Sequence, residues 1–149
     1  MLKRLFFAPF LVLALFAAPA LAKDPVYTGT LSDLAVGGYD PVAYFTEGKP
    51  VEGKSEFEYK WKGATWRFEN AKNLAAFKAD PAAYAPQYGG YCAWAVSQGY
   101  TASSDPHAWK IVGKKLYLNY SKKVQSTWQK DEAGNIARAD KNWPTVLDK

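Results

Sequence analysis

The chain holds one cysteine, Cys92, in the stretch YGGYCAWAV (residues 88–96), behind a glycine pair and among aromatic rings. Its one histidine, His107, follows in DPHAW. A thiol can be a soft metal ligand, a nucleophile toward oxidants or a partner in disulfide exchange, and the ionised form does the work in each case. With Gly90 as a cap, Cys92 falls in the first turn of a helix expected over Tyr91 to Gln98. Free amides and the positive helix end favour a thiolate there. The plainer alternative makes Cys92 a small buried hydrophobe sharing a face with Ala95, Val96 and Gly99. His107 offers an imidazole as ligand or base toward the thiol, or a ring that only packs at the entrance to a strand pair. Tyr88, Tyr91 and Asp105 carry the nearby hydroxyls and carboxylate that would orient either group.

Several chemistries are excluded by what surrounds these two residues. There is no CxxC pair, and one thiol with one imidazole is too few for a closed tetrahedral zinc site. Copper(I) accepts fewer and softer ligands, and a second protomer could complete its set. One histidine without a recognisable local signature gives no Ser-His-Asp arrangement. Lysines alternate with acids over Lys54, Glu56, Glu58, Lys60 and Lys62, which argues against a nucleic-acid partner. Aromatic residues make up 16% of the chain, enough to fill a small core or to line a pocket for a small ligand.

Residues 1–22 read as a secretory signal peptide: a basic start at Lys3 and Arg4, an apolar run from Leu5 to Phe16, and small residues at Ala20 and Ala22. Cleavage is expected after Ala22, which gives a periplasmic or secreted protein with no membrane contact after cleavage. Loss of Lys3 and Arg4 lowers the formal charge from +5 to +3. In an oxidising compartment cysteines come in pairs, so an unpaired one is a reactive thiol, an intermolecular link or a buried inert group.

The elements follow from pattern. Residues 23–36 form a polar lead-in anchored by Tyr27, Leu31 and Leu34, and residues 37–149 form the domain with a helical C-terminal extension. Asp40 before Pro41 starts a short helix to Glu47. The strict alternation of EFEYKWKGATWRFE (residues 56–69) about Lys62-Gly63 predicts a β-hairpin with one polar face. Asn70 caps a helix through Ala79, and Asp80-Pro81 opens another over Ala82 to Ala85. A second hairpin turns at Gly113-Lys114, and the tail from Lys122 to Leu147 is amphipathic with a break near Gly134. The expectation is an α+β fold: one small antiparallel sheet of two hairpins, helices on one face, and no repeat of the solenoid kind.

The segments GYDPVAYF, WRFENAKNLAAFKADPAAYAPQYGGYCAWAV and DPHAWKIVGKKLYLNYS resemble the YHS-domain family, in particular its exported bacterial single-domain branch. The resemblance spans Gly37 to Trp143. It implies that Asp40, Pro41, Asp80, Pro81 and Tyr84 are framework, and that Cys92 stands where some relatives carry selenocysteine. It also implies metal binding, from relatives that often use paired cysteines, a pattern from which this chain departs. The leading expectation is therefore a soft-metal protein, copper favoured, using Cys92 with His107. The alternatives are a thiol enzyme or peroxide reductase that recycles Cys92 with an external thiol reductant, and a binding module with an aromatic pocket.

Overall fold

The computed structural model describes residues 12–19 and 21–149, so much of the leader expected at 1–22 lies outside the described residues. No helix among them is long and apolar enough to cross a membrane. The class is α+β. The hairpins β1–β2 (Lys54–Trp61, Ala64–Phe68) and β3–β4 (Asp105–Val112, Lys115–Asn119) form two separate two-stranded sheets, however, and not one. The reason lies at the outer edge of β2. There Leu34 bridges to Thr65, and Thr65 donates its amide to the Asp33 carbonyl and its hydroxyl to the Asp33 carboxylate. The segment before the first hairpin thus covers the edge that a joined sheet would need.

The two hairpins belong to two matching units. Both pair an eight-residue strand with a five-residue one, and both are irregular at one place, between Lys54 and Glu58 in the first and between Asp105 and Trp109 in the second. Each is preceded by a tight turn, Ala35–Gly38 or Gln87–Gly90. Each turn is left-handed at a non-glycine residue (Val36, Tyr88) and at the two glycines after it. A short helix follows each turn: α1 (Ala43–Thr46) or α4 (Ala93–Ser97). Each hairpin is followed by a capped helix. Asn70 accepts from the Asn73 amide at the start of α2 (Ala71–Ala79), and Ser121 from the Val124 amide at the start of α5 (Lys122–Gln129). Even loop bonds recur, Asp40 N–H to the Val51 carbonyl at 2.8 Å and Cys92 N–H to the Ala102 carbonyl at 3.0 Å. Helix α3 (Pro81–Tyr84) joins the units and α6 (Glu132–Asn142) packs on α4.

Three local expectations change. Helix α4 is shorter than Tyr91 to Gln98, because Tyr91 and Cys92 are extended. Leu31 is fully exposed, and Val26, Ala35 and Val36 are the residues of the lead-in that bury. The break in the tail falls at Asp131, whose carboxylate accepts from the Gly134 amide at 3.1 Å. Gly134 itself is helical, and a Cβ there would lie 2.2 Å from that carboxylate, so glycine is what lets the cap approach.

Each unit has its own core. Trp66 and Phe68 meet Phe77 in the first, and Tyr117 meets Trp128 in the second. At the centre of the first unit the Asp40 carboxylate is fully buried. It accepts from the amides of Val42 (2.8 Å), Ala43 (3.3 Å) and Glu69 (2.9 Å) and from Asn73 Nδ2 (2.8 Å). One side chain thereby ties the start of α1 to the end of β2 and to α2. Removing it strands four donors, three of them in buried bonds. Asp40→Ala should cost about 3 kcal/mol in urea denaturation, and a loss under about 1 kcal/mol would show that the network is incidental.

Candidate functional site

Cys92 occupies in the second unit the place that Asp40 holds in the first. It is the N-cap of α4, 1% exposed, and its Sγ accepts from the Tyr120 amide at 3.3 Å, the counterpart of the Glu69 amide. The amides of Trp94 and Ala95, at the start of α4, are the counterparts of those of Val42 and Ala43. The thiol proton points to Asn119 Oδ1 at 3.6 Å, and the Trp94 amide donates to that same oxygen at 3.0 Å. Burial raises the pKa of the Cys92 thiol, while the facing amides of Ala95, Tyr120 and Trp94 pull it down and only partly offset that effect. The thiolate expected from a helix start is thus not the resting state, because α4 is five residues long and the sulfur is buried.

The second unit departs from the first around this thiol. Val124 replaces Asn73, so the carboxamide that closes the Asp40 site is gone, and a cleft of about 270 Å³ opens there. Cys92, Trp94, Ala95, Tyr100, Tyr120 and Val124 line it, with the rings of Tyr100 and Tyr120 about half exposed. Asn119 replaces Phe68 and Trp128 replaces Phe77. Among the described residues, Asn119 Nδ2 and Trp128 Nε1 are the buried side-chain nitrogens left without a hydrogen-bond partner. Asn119 went unrecognised in the sequence. The signal for it was GGYD against GGYC, which aligns Asp40 with Cys92 and puts a polar Asn119 where the first unit has Phe68.

The remaining sequence candidates lie elsewhere. His107 is half exposed, with Asp105 accepting from its backbone amide and lying 3.2 Å from Nδ1. Its ring stands edge-on to Tyr39. It does not line the Cys92 cleft, so the expected pairing of thiol and imidazole is not formed: β3 directs His107 outward while Cys92 points inward. The Tyr88 hydroxyl donates to Asp140 at 2.8 Å and the Tyr91 hydroxyl to the Asp24 carbonyl at 2.8 Å, so neither is directed at the sulfur. A second cavity, about 360 Å³, lies away from Cys92 among Trp61, Lys62, Trp66, Gln87, Tyr88 and Trp143.

The family model of the YHS domain matches residues 42–88. No curated protein and no solved structure matches the chain significantly. The YHS match takes in α1, the first hairpin, α2 and α3, and it ends at Tyr88, before Cys92. The second unit, with the thiol, lies beyond it. The residues around Cys92 do not fit the metal that a YHS domain implies. A cation needs several lone-pair donors, whereas Sγ accepts from the Tyr120 N–H and lies 3.6 Å from Asn119 Oδ1, and no group of three or more His, Cys, Asp or Glu comes together among the described residues.

Raised pKa values are concentrated in this half of the protein. Burial raises the Cys92 thiol and the phenols of Tyr88, Tyr91 and Tyr117, with Asp140 adding to the shift at Tyr88 and Tyr117; in the first unit burial raises Tyr44. Each of these groups keeps its proton longer folded than unfolded. Their contribution is whole below the unfolded values, 9.0 for the thiol and 10.0 for the phenols, and is lost as pH rises beyond them. Thermal midpoints should therefore fall steadily from about pH 9 to pH 11. A flat profile over that range would contradict the burial of these groups.

Proposed function

We propose that the protein is a thiol-based redox protein in which Cys92 reacts with small hydroperoxides admitted through the aromatic cleft. The observation that carries this reading is a buried sulfur at the floor of that cleft that accepts from the Tyr120 amide, with the Trp94 amide held beside it on Asn119 Oδ1. Such donors stabilise the negative sulfur and the oxygen that it acquires, and they disfavour a cation. In the reaction the sulfur attacks one peroxide oxygen. An S–O bond forms, the O–O bond breaks, and the alcohol or water leaves with the thiol proton. The sulfur is oxidised by two electrons to a sulfenic acid. No second cysteine exists in the chain, so an external thiol must condense with the sulfenic acid, releasing water, and a second external thiol must then free Cys92 as a disulfide leaves. The raised thiol pKa sets a slow pace, suited to a sensor or a slow reductase.

Export follows from the leader, and an oxidising compartment is where such a thiol meets peroxides. A test measures oxidation of Cys92 by dilute hydrogen peroxide across pH 6 to 9, with dimedone trapping of the sulfenic acid. The rate should rise about tenfold per pH unit, since only the thiolate reacts. It should vanish in Cys92→Ser and stay unchanged in His107→Ala. If instead reduced protein takes up copper(I) tightly, and both Cys92→Ser and His107→Ala weaken it, the soft-metal reading replaces this one. The cavity beside Trp61 and Trp143 gives the binding-module reading an address. A small molecule that quenches tryptophan fluorescence and leaves Cys92 reactivity untouched would move the function there.

A further inference from the structure

The equivalence of Asp40 and Cys92 says more than that the thiol is reactive. In the first unit the same backbone holds a carboxylate, a planar anion with two oxygens, and both oxygens are used. Oδ1 takes the amides of Val42 and Ala43, and Oδ2 takes the Glu69 amide and Asn73 Nδ2. In the second unit the Tyr120 amide donates to Sγ at 3.3 Å, while the Trp94 amide, the counterpart of Val42, donates at 3.0 Å to Asn119 Oδ1 beside the sulfur. A single sulfur fills the seat. The fourth donor is missing, because Val124 stands for Asn73, and the Asn119 carboxamide lies beside the sulfur instead, with its oxygen toward it. Asn119 is fully buried, its Oδ1 is 3.6 Å from Sγ, and its Nδ2 has no partner. The Trp94 amide fixes which end of that carboxamide is oxygen, since it can bond only to Oδ1.

We propose that Cys92 is a modification site whose stable product is the sulfinate, and that this two-oxygen anion sits in the seat that the Asp40 carboxylate occupies in the first unit, drawing the Trp94 amide from Asn119 Oδ1 so that the freed carboxamide turns and supplies Nδ2 as a further donor. The inference rests on Cys92 being the oxidised residue. The chemistry adds one step to the reaction above. The sulfenate sulfur attacks a second hydroperoxide, a second S–O bond forms, the O–O bond breaks, and a second molecule of alcohol or water leaves. The sulfur loses two more electrons and the peroxide gains them. A sulfinate stays ionised at neutral pH and is not reversed by ordinary thiols. External thiol and peroxide therefore compete for the sulfenic acid, and the amide seat favours the end state once peroxide is in excess.

Two measurements test the seat separately from the reactivity. Cys92→Asp places the first unit's own anion there, and Cys92→Asn is its neutral counterpart of the same shape. Cys92→Asp should be the more stable of the two at pH 7, by about 5 °C or more in thermal midpoint. That advantage should shrink as pH falls through the carboxylate range, because a carboxylate held by donors has a lowered pKa and loses its contribution on protonation. Adding Val124→Asn, which restores the first unit's closing donor, should raise the midpoint of Cys92→Asp further. A Cys92→Asp protein that is less stable than Cys92→Asn at pH 7, or that fails to fold where Cys92→Asn folds, overturns the proposal.

On the unmodified sequence, excess hydrogen peroxide should add two oxygen atoms at Cys92 by mass spectrometry without lowering the thermal midpoint. In Asn119→Leu the same product should lower it. A midpoint that drops on oxidation of the unmodified sequence also overturns the proposal, and this arm decides the matter if both position 92 variants fail to fold. If Cys92 proves inert to peroxide while Cys92→Asp outperforms Cys92→Asn, the redox reading fails and the anion seat stands.

Discussion

The fold depends on a buried negative charge that is shared among four donors. Asp40 lies in the chain just before α1, yet its oxygens reach the residue after β2 and a side chain of α2. A carboxylate deprived of water is tolerated only when its lone pairs are filled. Here the donors come from three elements, so satisfying the charge fixes their mutual positions. Hydrophobic packing of Trp66, Phe68 and Phe77 supplies area around that point, but area alone is not directional. The carboxylate supplies the direction.

The second unit repeats this arrangement with different chemistry. Sulfur replaces carboxylate, the closing carboxamide becomes Val124, and polar Asn119 and Trp128 replace two phenylalanines. Each change loosens what the first unit makes tight: a neutral acceptor at rest, an open cleft, and nitrogens left without partners. A structural seat and a chemical site thus differ by a handful of side chains on one backbone. The first unit needs its anion permanently. The second acquires one only when the sulfur reacts.

Much of this was legible in the residues, because local patterns determine local structure. The alternation through Phe57, Tyr59 and Trp61, the turn at Lys62-Gly63 and the caps at Asn70 and Asp40 gave the first hairpin and its helices close to their observed limits. What could not be read was relational. Two hairpins in one chain suggest one sheet, but the backbone of residues 33 and 34 lies along β2 and takes up that edge. The internal correspondence was hidden because its sequence trace is the short run GGY before Asp40 and Cys92, while hairpins and helices of the same shape accept very different residues. The pairing of Cys92 with His107 failed for a related reason: closeness in sequence does not say which way a strand directs a side chain.

Residues 23–27 run over the finished protein as a clasp. The Lys23 amide donates to the Leu147 carbonyl, the Tyr27 amide donates to the Gly89 carbonyl, and Pro25 lies so close to Gly89 that any Cβ there would collide with it. A chain made from its N-terminus produces this segment before any of its partners, and Leu147 follows Lys23 by 124 residues. Its seating is therefore the most non-local event in the fold, and loop-closure entropy places it late. Until translation reaches Leu147, the clasp has no complete surface to close upon, and Tyr88, Tyr91 and Trp143 beneath it remain open to water.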